Sequence, residues 1–188
     1  MTRWPQRGFS LIEILIVVFI IGLAVAAASL TVGGDDGATL ARKETEDFML
    51  ASRFVSEQAV LSSEIVGLFV EPRQQLGSTG LIWCYQWQRY RDGVWGDATS
   101  YLEQRCLPEQ LQMEMIVEGE PYSYDPRKTT PTPVLVFYPS GESTPFELAF
   151  SEVGQADSVQ RIEVDMVGQI LWLNRERERE QERANRPW

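Results

Sequence analysis

The residues with the most pointed chemical context are Glu13, Cys84 and Cys106. Glu13 stands near the start of an otherwise unbroken apolar run. A carboxylate is unfavourable there and ordinarily has a charged or hydrogen-bonding partner, so its chemistry is pairing rather than bond-making. Cys84 and Cys106 are the chain's two cysteines. Two thiols alone do not complete a structural zinc site. In an exported chain a single pair fits a disulfide, with two reduced, half-buried thiols as the other reading; spacing alone does not bring their Cα atoms together. Asp35 and Asp36 are adjacent, but adjacency in a Gly-rich segment sets up no acid–base geometry. The chain has no histidine, which removes the commonest general base, the commonest metal ligand and every Ser-His-Asp or Cys-His arrangement. No catalytic residue, cofactor or metal site is assigned, and the chain is not read as an enzyme.

What must position these residues is one domain with an extension, the size that 188 residues allow. Eight Phe, six Tyr and six Trp within a 44% apolar composition supply core material. The formal charge is −10, from 27 acidic against 17 basic residues. That balance argues against nucleic acid, whose affinity comes mainly from cations neutralising phosphates, and suits a soluble, self-repelling surface.

From Ile14 to Gly34 no residue is charged. As a helix, rising about 1.5 Å per residue, this run is long enough to cross a hydrocarbon core of about 30 Å. Arg3 and Arg7 precede it, Asp35 and Asp36 follow it, and the next basic residue is Arg42. The positive-inside rule then keeps the N-terminus cytoplasmic and sends the remainder outward. Three readings of this start compete: a cleaved secretory signal with small residues at Ala24 to Ala28, a plain signal anchor, and a retained helix in which Glu13 has a use. Only the third explains a carboxylate in the apolar run.

The string Arg7-Gly8-Phe9-Ser10-Leu11-Ile12-Glu13 resembles the class III signal of type IV pilins and of the pseudopilins of type II secretion: a basic leader, Gly, Phe, and Glu at the fifth mature position before a long apolar segment. The resemblance implies that prepilin peptidase cuts between Gly8 and Phe9 and that Phe9 becomes an N-methylated terminus. It also implies that Glu13 pairs with the terminal amine of a neighbouring subunit. Both charges are unfavourable in lipid when unpaired, so their pairing rewards correct register during assembly. Loss of residues 1–8 removes two arginines and takes the formal charge from −10 to −12.

Gly33, Gly34, Asp35, Asp36 and Gly37 predict a break, either the end of a membrane helix or a hinge to a second helical half. From Ala38 to about Ser63, Leu40, Phe48, Ala51, Phe54, Val55, Ala59 and Ser62 recur at spacings of three and four, while Arg42, Lys43, Glu44, Glu46, Asp47, Arg53 and Glu57 fall mostly off that stripe. This predicts an amphipathic helix that needs a sheet against it. Strands are expected over Glu64–Glu71, Gly80–Tyr90, Val94–Trp95 after an Asp92-Gly93 hairpin turn, Leu111–Glu118, Val134–Tyr138, Pro145–Phe150, Val159–Val167 and Gln169–Leu173. Tyr122–Pro133 is expected to be a loop, Pro139–Glu142 and Val167–Gln169 turns. The mixed-charge run Arg175–Arg183 predicts a solvated or frayed helical extension.

A long N-terminal helix followed by an antiparallel sheet is an α+β pattern, and it again resembles pilins. Arg53-Phe54-Val55-Ser56-Glu57-Gln58-Ala59, the turn and strand text from Val136 to Leu148, and the closing Ile-Glu-Val and Gly-Gln-Ile strand pair make it most similar to the H type of minor pseudopilin, a relative of the fimbrial T family. The implied organisation is a leader at 1–8, a transmembrane helix at 9–34, an amphipathic periplasmic helix at 35–63, a β-rich head at 64–174 and a charged tail at 175–188. The implied function is a structural subunit near the tip of a periplasmic pseudopilus that drives folded exoproteins through an outer-membrane secretin. The implied partners are the I, J, K and G type pseudopilins, prepilin peptidase and the inner-membrane secretion platform, with the chain anchored once in the inner membrane. The alternatives are a minor pilin acting in pilus assembly or DNA uptake, which would want a basic exposed patch and is disfavoured by the acidic head and by terminal arginines that alternate with glutamates, and a periplasmic enzyme or adhesin on a signal anchor. Residues 72 to 130 carry little of the resemblance.

Overall fold

The computed structural model describes residues 11–31, 37–74, 80–97, 103–128, 130–155 and 159–186, with side chains at all of these except 25–31 and 97. The chain divides into two units, residues 1–36 and 37–188. In the first, α1 spans Leu11–Thr31, with Glu13 in its first turn. Every described side chain on it, from 11 to 24, is exposed. Among the described residues no helix is long and apolar enough to cross a membrane; the described side chains of α1 end at 24. Its helical backbone runs on through 21 residues in all, about 31 Å of rise. Gly8, Phe9 and the expected break at Gly33–Asp36 lie outside the described residues.

The second unit opens with α2, Gly37–Ser62. Its buried face is Ala41, Glu44, Thr45, Phe48, Met49, Ser52, Val55 and Ala59, a stripe of spacing three and four. Phe48, Val55 and Ala59 are the expected core residues. Phe54, expected on the same stripe, is instead 40% exposed, and Glu44, expected on the polar side, is buried. The stripe is rotated because Thr45 and Ser52 serve as core residues; the Thr45 hydroxyl satisfies itself on the Ala41 carbonyl at 2.7 Å.

The head's strands divide between two antiparallel sheets. In the first, β3 (Val94–Asp97), β2 (Leu81–Arg91), β1 (Ile65–Gln74) and β7 (Leu135–Phe137) lie in that order, and the short β4 (Arg105–Cys106) also pairs with β2. In the second the order is β10 (Ile170–Trp172), β9 (Gln160–Val164), β8 (Phe146–Glu152), β5 (Leu111–Val117) and β6 (Glu120–Pro121). The β2–β3 hairpin turns at Asp92 and Gly93 with φ of 50° and 84°, the paired positive values that the Asp-Gly signal demands. Glu118 and Gly119 repeat this geometry, at 52° and 84°, between β5 and β6. The β9–β10 turn is held by Asp165, whose Oδ1 accepts from the backbone of Val167 at 3.0 Å and Gln169 at 2.8 Å. Gly168 there has φ of 76°, and a Cβ would lie 2.3 Å from the Gly141 carbonyl oxygen, so no other residue fits without moving a backbone.

The core lies between α2 and the two sheets. Phe48 is fully buried and touches Tyr85 and Trp87 of the first sheet and Phe150 of the second, with ring centroids 5.5, 6.0 and 6.0 Å away. The C-terminal run is a helix, α3, from Leu173 to Ala184, which begins without a loop after β10. Asn174 fixes its first turn: its Oδ1 accepts from the Arg161 amide at 2.8 Å and its Nδ2 donates to the Val159 carbonyl at 2.9 Å. Arg175 lies 4.4 Å from the centroid of the Trp172 ring and pairs with Glu46 of α2 at 3.3 Å. The tail is solvated, as its composition requires, but its first turn is tied to α2.

Glu64, between α2 and β1, accepts from Arg89 at 3.2 Å and from Arg91 Nε at 2.5 Å. Burial alone would raise its pKa, but the hydrogen bonds and charge of Arg91 and Arg89 outweigh it, and the net shift is downward from the usual 4.5. A depressed folded-state pKa contributes stability above the unfolded value and loses it as pH falls through the depressed one. Wild type should therefore exceed Glu64→Gln in urea stability at neutral pH. The gap should start to shrink near the unfolded pKa of about 4.5 and close at lower pH. A gap of the same size at about pH 3 and pH 7 would contradict this.

Candidate functional site

Two places carry charge where the surroundings are apolar. The first is Glu13. It lies in the first described turn of α1. Among the described residues Glu13 makes no hydrogen bond or ion pair, and its neighbours Leu11, Ile12, Ile14, Leu15 and Ile16 are exposed by 51% or more. A helix apolar all round belongs against lipid or other helices.

The second place was not legible in the sequence. Glu44, 5% exposed, faces the first sheet from α2. The Tyr85 hydroxyl donates to its Oε1 at 2.7 Å. Arg105 of β4 donates from Nε to Oε1 at 2.9 Å and from Nη2 to Oε2 at 3.1 Å, a bidentate pair. The same Nη2 reaches Asp47 Oδ2 at 2.5 Å. Burial pushes the Tyr85 phenol far above the usual tyrosine range, and the Glu44 carboxylate pushes it further, so the phenol stays protonated and donates. Burial opposes the charge on Arg105, but the hydrogen bonds and charge of Glu44 outweigh it and its pKa rises. The group is a closed electrostatic clamp between helix and sheet, with no open position for a substrate. The only hint in sequence is the place of Arg105 beside Cys106. Glu44 and Arg105 are 61 residues apart, beyond the reach of periodicity.

Cys84 and Cys106 are joined in a disulfide. They face each other directly in the β2–β4 register, with Tyr85 opposite Arg105 at the next pair. Among the described residues no group of three or more His, Cys, Asp or Glu could hold a metal ion.

A helix packed across antiparallel sheets, following an apolar helix whose single charge is a first-turn glutamate, defines a pilin-like assembly subunit. Residues 5–29 match the prokaryotic N-terminal methylation motif, and residues 44–168 match the Type II transport protein GspH family. The chain belongs to this family, the minor pseudopilins of type II secretion. Type II secretion system protein H of Aeromonas hydrophila is 26% identical over 191 residues, spanning 96% of this chain and all 100% of the relative. Its counterpart in Pseudomonas aeruginosa is 26% identical over 79% of this chain and 85% of its own length. The crystal structure of the minor pseudopilin EpsH from the type II secretion system of Vibrio cholerae covers 71% of this chain and 92% of that one, with a TM-score of 0.56 at 22% identity, a likeness of fold.

Proposed function

We propose that the chain is a minor pseudopilin anchored once in the inner membrane, with its head in the periplasm, and that it assembles near the tip of the pseudopilus. The observation that carries this is α1, an apolar helix exposed at every described side chain and charged only at Glu13. Water does not stabilise such a surface; lipid does before assembly, and neighbouring helices do afterwards. Prepilin peptidase, acting beside the inner-membrane secretion platform, cuts after Gly8. Phe9 becomes the methylated terminus, and the Glu13 carboxylate receives the terminal amine of a neighbour. On α2, Leu50, Phe54, Val60 and Leu61 are exposed by 62%, 40%, 46% and 78%, away from the face that packs on the sheets. This second apolar strip suits helix-to-helix contact with I, J, K and G type pseudopilins. The assembled filament then acts on folded exoproteins at the secretin.

Two measurements test this reading. The protein recovered from membranes of a host carrying prepilin peptidase should have the intact mass and N-terminal sequence of a chain beginning at methylated Phe9. A chain beginning after Ala28 would overturn it. Glu13→Leu should still be cleaved, while its recovery in sheared filaments falls roughly tenfold or more, as expected for an ammonium left unpaired in an apolar setting. Normal incorporation of Glu13→Leu would remove the assigned role.

A further inference from the structure

The disulfide and the buried clamp are one mechanical unit. β4 is two residues long, and both are engaged. Cys106 is bonded to Cys84, and Arg105 spans Glu44 and Asp47 on α2. A two-residue strand has few ladder hydrogen bonds to hold it; the buried Leu107 beside it, whose amide donates to the Trp83 carbonyl at 2.8 Å, and the covalent bond together fix where Arg105 stands. The two cysteines differ in exposure. Cys84 is 0% exposed, whereas Cys106 lies on the exposed β4.

We propose that Cys84–Cys106 is a thiol-exchange site, entered at Cys106 by a dithiol partner, and that its redox state decides whether Arg105 clamps α2 to the first sheet. The chemistry balances without any further reagent. A thiolate of the partner attacks the Cys106 sulfur, the Cys84–Cys106 bond breaks, and Cys84 leaves as a thiolate and takes a proton. The partner's second thiolate then attacks its own sulfur in the mixed disulfide, and Cys106 leaves and is protonated. The partner is oxidised to a disulfide, and the two cysteines gain two electrons and two protons. The reverse sequence closes the bridge.

The consequence follows from burial. Once β4 is free, Arg105, whose side chain is 43% exposed, gains hydration by leaving. Glu44, whose side chain is 7% exposed, then keeps only the Tyr85 hydroxyl. A buried carboxylate without its cation is destabilising, and the strain falls on the α2 segment that carries Glu44 and Asp47. Phe48 and the second sheet hold the remainder. Reduction therefore loosens the N-terminal half of α2 while leaving β5 and β8 protected.

The test uses the full chain in detergent micelles, with dithiothreitol as the dithiol probe, thiols counted by mass after alkylation, and amide hydrogen exchange read by segment. Both thiols should appear under native conditions. Exchange across residues 37–48 and 103–108 should rise roughly tenfold, with β5 and β8 unchanged. Arg105→Gln in the oxidised chain should loosen 37–48 by a similar factor and add nothing once the chain is reduced. Failure of the native chain to react would overturn the exchange site. Unchanged exchange at 37–48 in the reduced chain, loss of protection throughout the head, or additive effects of reduction and Arg105→Gln would each overturn the coupling.

Discussion

Phe48→Ala should lower the unfolding free energy of the detergent-solubilised chain by about 3–5 kcal/mol, the usual loss for a buried phenylalanine cut back to alanine. In a head of this size that is a fall of roughly 6–20 °C in Tm. The size follows from what the ring touches. Phe48 is 0% exposed, and Tyr85, Trp87 and Phe150 surround it, so one residue joins helix, first sheet and second sheet. The rings around the gap are themselves held by strand pairing and cannot close it. Phe48→Leu retains most of the volume and should lose less than half as much. Equal losses from the two variants in thermal or urea unfolding would mean that the ring contacts with Tyr85, Trp87 and Phe150, rather than the filled volume, carry the stabilisation.

The second large effect is at Arg105. Arg105→Ala should destabilise by about 1–3 kcal/mol, below the 3–5 kcal/mol typical of breaking a fully buried pair, because part of the guanidinium faces solvent. Most of that loss is the buried Glu44 charge left without its cation. In a Glu44→Gln background, where the amide oxygen still accepts from Tyr85 and no charge is buried, Arg105→Ala should lose much less, under about 1 kcal/mol. A double-mutant cycle from urea midpoints measures the difference. Additive losses would show that Arg105 stabilises through Asp47 or through its own packing.

The α2 stripe shows where periodicity works and where it stops. Phe48, Val55 and Ala59 could be assigned to the core because large apolar residues at helical spacing have one stable placement. Phe54 and Glu44 were exchanged in that reading, since a stripe's centre is set by what it packs against. The sheet offers Tyr85 and Arg105 to one side of Phe48, and this draws Glu44 inward and turns Phe54 out. Turns were legible wherever residue type dictates backbone angle, as at Asp92-Gly93. Glu118-Gly119 obeys the same rule with a less distinctive pair. β4 carries no strand signal of its own, because two residues have no alternation; it pairs because a disulfide and a salt bridge hold it.

By itself the sequence determined the apolar N-terminal segment with its lone carboxylate, the methylation-type motif, the α+β order of elements and the absence of histidine chemistry. Each of these depends on residues close along the chain, where spacing and composition act directly. Tertiary structure alone decided the division of the strands into two sheets, the pairing of Cys84 with Cys106, the clamp of Arg105 on Glu44 and the docking of the charged tail on α2. Those arrangements join residues tens of positions apart. Their energy comes from burial and charge pairing that exist only once the chain has folded.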